Sequence, residues 1–222
     1  RAGQKRAWPG AAAQSPGDAA VRALQAECRR LPIDGLAAHA ASRRVAGLAA
    51  ELSANNAAFA LQALTKMDAG DAAEAEDALR ARLGGVCHEL DARGTAIALW
   101  SLGSRGGDPG PLLSMLNDRL ADVAARFKPQ DVANTLWAQA KLRSAPGAGA
   151  WAAVAGRAAG AAAEMKAHEL SIVLWAVASL GLDVGRPLFA AWQAAAGQSV
   201  PWFNAQSVAN SLWALGKLAA AV

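Results

Sequence analysis

Tyrosine is absent from this 222-residue sequence, cysteine occurs twice and histidine three times. Cys28 and Cys87 are too few for a disulfide framework, which points to a reducing compartment. His39, His88 and His168 are scattered without metal-site spacing, so neither a metal nor another cofactor is expected. Proline is sparse, and no window alternates apolar and polar side chains for long enough to suggest a sheet. From Pro187 to Gly216 there is no charged side chain. A membrane span there would strand the amides of Gln193, Gln198, Asn204, Gln206 and Asn210 in lipid, and Pro201 interrupts it, so a transmembrane helix is excluded.

What is present is alanine, the best helix former, within a hydrophobic fraction of 54% that suffices for a core. The class expected is all-α. The net charge of +4 and pI near 9.5 suit an acidic partner such as nucleic acid.

A motif recurs. Ala133-Asn134-Thr135-Leu136-Trp137-Ala138 returns as Ala209-Asn210-Ser211-Leu212-Trp213-Ala214, and aligning the aromatics Phe59, Trp100, Trp137, Trp175 and Trp213 gives spacings of 41, 37, 38 and 38 residues. Nearly constant spacing means stacked supersecondary units, here one continuous array. The expected architecture is a right-handed α-solenoid of about 38-residue helical hairpins over residues 18–222. Residues 18–50 are read as a candidate degenerate first copy, and residues 1–17 are expected to be disordered.

Within one unit, Pro129 suits the first position of a helix A, and Asp131 meets the positive end of its dipole. At 100° per residue, Val132, Ala133, Leu136, Trp137 and Ala140 share an arc of about 140°, with Asn134, Ala138 and Lys141 opposite. The stretch 143–147 breaks that helix, and helix B is expected over 150–167. Comparable hairpins follow, with a glycine-rich turn over 103–110 and helices over 112–127 and 168–181. The 41-residue interval is read as three extra residues. The last helix A has no helix B after it, so its apolar face should be open unless a partner covers it.

The stretch Gln130-Asp131-Val132-Ala133-Asn134-Thr135-Leu136-Trp137-Ala138, at this period, resembles the octotricopeptide repeat, and nearly as well the related organellar RAP-domain repeat proteins. The resemblance covers residues 51–222, most strongly 127–218. It implies an RNA-binding helical-repeat protein of the mitochondrion, with the chloroplast as alternative, that binds and stabilises single-stranded segments of mRNA or rRNA. It also implies ribosomal or other organellar proteins as partners, and no membrane or small-molecule substrate.

Helical repeats read RNA by offering a few side chains per repeat to splayed bases while basic residues hold phosphates. The candidate RNA-facing column is Asn56, Ser101, Asn134, Lys141, Asn210 and Lys217, since an amide can donate to and accept from a base edge. The competing role for the asparagines is to bridge neighbouring repeats through backbone bonds. Arg119, Arg126, Lys128, Arg143, Arg157 and Lys166 lie near hairpin ends as candidate phosphate contacts, or as a solvated rim. The register tryptophans are expected to pack in the core, and Trp8 stands outside the register. Cys87-His88 offers no catalytic constellation, because adjacent helical residues diverge by about 100°. Gly103 to Gly107 lacks the strand and the Lys-Ser/Thr of a phosphate loop. No enzyme is expected; the alternative to RNA binding is a protein-binding scaffold, favoured by the acidic stretch Asp68, Asp71, Glu74, Glu76 and Asp77.

Overall fold

The computed structural model describes residues 15–29, 35–67 and 72–220. Trp8, Asp68 and Asp71 lie outside them. Helices make up 85% of the structure, and among the described residues there are eleven α-helices and no strand. The helices form two layers. In the A layer, α1 (Pro16–Glu27), α3 (Ala54–Met67), α5 (Ala92–Arg105), α7 (Pro129–Leu142), α9 (Ala167–Leu180) and α11 (Ala205–Ala219) pack each on the next. In the B layer, α2 (Gly35–Leu48), α4 (Ala73–Val86), α6 (Pro111–Val123), α8 (Ala148–Ala161) and α10 (Gly185–Ser199) do the same. None of the described helices is long and apolar enough to cross a membrane.

The A helices begin where side chains satisfy the free N–H groups of a first turn. Asp91 Oδ1 accepts from Gly94 N at 2.6 Å, and Asn204 Oδ1 from Ser207 N at 2.8 Å. In α7 and α9 the acid lies inside the first turn instead. Lys128 N donates to Asp131 Oδ2 at 2.9 Å, and Lys166 N to Glu169 Oε2 at 2.8 Å. Ser15 caps α1, which starts at Pro16 and packs on α2, while residues 1–14 of the stretch expected to be disordered lie outside the described residues.

Each B helix ends in a device that composition did not announce. A three-residue 310 turn is followed by one extended residue, namely Leu52, Leu90, Phe127, Met165 or Phe203. The first four of these side chains are buried and Phe203 half-buried, so each corner drives an apolar side chain into the core. Burying each contributes about 1.5–3 kcal/mol. These corners end helix B earlier than expected, α8 at Ala161 and α6 at Val123. Gly103 lies inside α5 rather than in a turn.

Arginines tie the B layer across neighbouring units. Arg82 Nε donates to Leu52 O at 2.8 Å, and Arg157 Nε to Phe127 O at 2.6 Å. Arg119 places Nε and Nη2 on Leu90 O, at 3.0 and 2.9 Å. Each reaches from the middle of one B helix to the corner of the previous unit. Glu76 is held between Arg80 at 2.8 Å and Arg105 at 3.1 Å, so this member of the acidic stretch serves an internal network.

The corners also correct the alignment of the first unit. Trp100, Trp137, Trp175 and Trp213 each stand ten residues beyond their corner residue, whereas ten beyond Leu52 is Gln62. No three residues are inserted. Phe59 lies one turn earlier in its helix than the tryptophans do in theirs.

Candidate functional site

The tryptophans are not interior. Trp100, Trp137 and Trp175 are half-buried, and Trp213 is 48% exposed. Covering the A helices on the core side are the residues just before each tryptophan, Leu99, Leu136 and Leu174, all at most 1% exposed. On the other flank, the residue just after each tryptophan fits against the neighbouring A helix. There only small side chains occur, Ser101, Ala138, Ala176 and Ala214, and the tryptophan is left on the outer rim of the layer.

That geometry decides the candidate residues one by one. Ser101 belongs to the small-residue column; it is fully buried and its hydroxyl donates to Ile97 O at 2.9 Å, so it faces no ligand. Ala138, expected opposite the core, is buried in the same column. Asn56 is one turn out of register with the other asparagines and donates through Nδ2 to Asp18 Oδ1, bridging α3 to α1. Asn134 and Asn210 do share a register, one turn before Trp137 and Trp213, where α5 and α9 carry Ile97 and Ile172. Asn134 is half-buried, with no hydrogen-bond partner among the described residues, while Asn210 Oδ1 accepts from Gln206 Nε2 at 3.0 Å and keeps its own N–H groups free to donate outward.

Lys141 and Lys217 are exposed one turn beyond their tryptophans, with Nζ 6.0 Å from the Trp137 ring centre and 5.2 Å from that of Trp213. Sequence reasoning passed over two further members of this face. Lys66, in the same register as Lys141 and Lys217, stands 5.8 Å from the Trp100 ring, and Arg93 stands 5.5 Å from that of Phe59. Spacing within one helix marks Lys141 and Lys217, four residues after their tryptophans, but not these two, which reach between α3 and α5: Lys66 to Trp100 and Arg93 to Phe59. None of these cations has a carboxylate within ion-pair distance among the described residues, so their charge is uncompensated there.

Of the candidate phosphate contacts, Arg119 and Arg157 are committed to the corner carbonyls described above, and Arg119 adds an ion pair with Asp122 at 3.1 Å. Arg126, Lys128 and Lys166 are exposed at corners on the B-to-A connections. Arg143 is exposed at the far end of α7, on the same side as Lys217.

The rings along this rim are unevenly spaced. Trp100 and Trp137 stack, with centres 6.4 Å apart and planes 26° off parallel. Beyond them the rim opens into grooves. One of about 530 Å³ lies between Trp137 and Trp175, with Lys141, His168, Gln206 and Asn210 on its walls. A second, of about 440 Å³, lies between Trp175 and Trp213, with Arg143, Ser179 and Lys217. A third, of about 520 Å³, lies at the other end of the layer among Asn56, Phe59, Gln62, Lys66 and Arg93. Shallow grooves walled by aromatic faces and unpaired cations can stack a planar ring and attract an anion together.

Cys28 lines the third groove, where its Sγ donates to Ala63 O at 3.2 Å, whereas Cys87 lines none of the three. Cys87 is buried and burial pushes its thiol up, while the adjacent His88 side chain is exposed. Among the described residues no cluster of three or more His, Cys, Asp or Glu could hold a metal ion.

Fold and rim together define an all-helical array of paired helices with an aromatic and cationic outer face. The family described as a protein of unknown function, DUF1601, matches at residues 123–136 and 188–212. Both stretches carry a corner from helix B into helix A and end one residue before a tryptophan, at Leu136 and Leu212. The two stretches share the corner and the first turns of the A helix, and the second also covers most of α10. Curated proteins yield no match.

Proposed function

We propose that this chain is a right-handed α-solenoid of about 38-residue hairpins that binds single-stranded RNA along the outer rim of its A layer. The observation that carries the reading is the set of half-exposed tryptophans with Lys66, Lys141, Lys217 and Arg93 at 5.2–6.0 Å from aromatic rings and no carboxylate beside them among the described residues. Stacking on exposed rings is tolerant of sequence, and the cations hold the backbone. The resemblance to octotricopeptide repeats supports the same ligand and points to the mitochondrion, with the chloroplast as alternative, and to action on mRNA or on rRNA as a ribosomal subunit.

The test is equilibrium binding of a labelled single-stranded RNA between 50 and 300 mM KCl. Affinity should fall with salt, and changing Lys141 and Lys217 together to Glu should weaken binding and lower the log–log salt slope by at least about 0.7 for each phosphate no longer held. A folded double variant with unchanged affinity and slope removes this rim from consideration. A protein-binding scaffold is the second reading, favoured by the exposed apolar side chains of α11, Leu212 at 65% and Val208 at 42%. Salt-insensitive binding to a protein with no RNA affinity would select it.

A further inference from the structure

Among the described residues Arg143 is the single non-glycine residue with positive φ, at 52° with ψ 34°. The fold requires a left-handed residue there, because the end of α7 closes by bonds from Arg143 N to Ala140 O at 3.2 Å and from Ser144 N to Gln139 O at 3.0 Å. The end of α9 closes identically, from Gly181 N to Ala178 O at 3.3 Å and from Leu182 N to Val177 O at 3.1 Å. There the residue is glycine, at φ 65° with ψ 29°. Glycine adopts this conformation freely and an arginine does not. The backbone therefore gains nothing from the arginine, and no hydrogen bond or ion pair engages its guanidinium among the described residues.

The side chain instead lines the groove between Trp175 and Trp213, with Lys217 and Ser179. Two cations share this groove of about 440 Å³, and no carboxylate lines it among the described residues. Strained backbone kept by a charged residue at the mouth of an aromatic groove is the arrangement expected where strain serves a ligand.

We propose that this groove is a nucleotide seat for single-stranded RNA, in which Arg143 and Lys217 hold one phosphate and the attached base stacks on the exposed ring of Trp213 or the half-buried ring of Trp175. The proposal rests on the RNA reading above and adds the seat to it. A guanidinium offers a fork of donors that matches phosphate oxygens, and Lys217 adds a point charge in the same groove.

The experiment compares the whole chain with Arg143→Gly, Arg143→Asn and Lys217→Ala, using a fluorescein-labelled ten-nucleotide uridine RNA and the same oligomer with abasic sugars. Arg143→Gly and Arg143→Asn should leave the melting temperature unchanged or raise it, since both residues favour the left-handed region. Both should weaken uridine RNA binding about tenfold or more and lower the salt slope by about 0.7. The abasic oligomer should bind more weakly than the uridine RNA, and Arg143→Gly should reduce both. Unchanged RNA affinity in Arg143→Gly, or a lowered melting temperature without loss of binding, overturns the seat while the RNA reading stands. A wild-type chain that binds neither oligomer at 50 mM KCl overturns the RNA reading and the seat together. Loss of polyglutamate binding in Arg143→Gly, with RNA affinity unchanged, would assign the groove to an acidic protein segment.

Discussion

Adding one methyl group at Gly103 should destabilise the array, against the ordinary effect of such a change. Gly103 lies within α5 where it crosses α7, and a Cβ there would stand 2.9 Å from Ala138 Cα, 3.1 Å from Ala138 Cβ and 3.3 Å from Ala138 O. These atoms belong to backbone or to the first side-chain carbon, so no rotamer change relieves the overlap and the two helices must separate. Replacing glycine by alanine in an open helix gains about 0.5–1 kcal/mol. Overpacking costs about 1–3 kcal/mol. The sum is a loss of about 0–2.5 kcal/mol, centred near 1, for Gly103→Ala. Gly156, inside α8, has nothing within 4 Å of its ideal Cβ, so Gly156→Ala should show the uncomplicated gain of about 0.5–1 kcal/mol. In a chain of this length 1 kcal/mol moves the melting temperature by roughly 2–4 °C. Thermal melts followed by circular dichroism at 222 nm should therefore show shifts of opposite sign, down for Gly103→Ala and up for Gly156→Ala. Two upward shifts would refute the close crossing of α5 on α7.

Arg119→Met should cost about 1–3 kcal/mol, because it removes a charged donor pair from Leu90 O. Arg126→Met, which alters an exposed arginine at a corner, should stay within about 0.5 kcal/mol when both variants are compared by urea unfolding. Trp137→Ala should cost about 2 kcal/mol, roughly half the range for a fully buried aromatic, and Leu136→Ala beside it should cost more, about 3 kcal/mol. The reverse order in chemical denaturation would return the tryptophans to the core.

The A helices were legible because their signals are local. Pro129 with Asp131, and the apolar stripe through Val132 and Leu136, define α7 without reference to anything outside it. The corners were not, since a 310 turn followed by an extended residue such as Phe127 or Met165 needs no proline or glycine to mark it. Its stability comes from burying that side chain between layers. Matching Phe59 to the tryptophans on aromatic identity produced a false three-residue insertion, which the position of the corner at Leu52 removes.

The candidate rim was half legible for a related reason. An angular projection orders side chains around a helix but does not say how wide an arc the neighbours cover. Trp137 sits at the edge of the apolar arc, and Ser101, polar by type, falls inside the covered part because the helix crossing admits only a small residue there. Arg119 and Arg157 look like free cations until the corner carbonyls they bind are known. The strain at Arg143 is a backbone property that residue type alone does not disclose.

Photo-crosslinking of the chain to a single-stranded RNA carrying 4-thiouridine, with the attachment sites read by peptide mass spectrometry, tests the central claim most directly. The account predicts attachments on α7, α9 and α11 at or beside Trp137, Trp175, Trp213, Lys141 and Lys217, suppressed by high salt. Attachments confined to the B helices, or none under conditions where the RNA is bound, would contradict it.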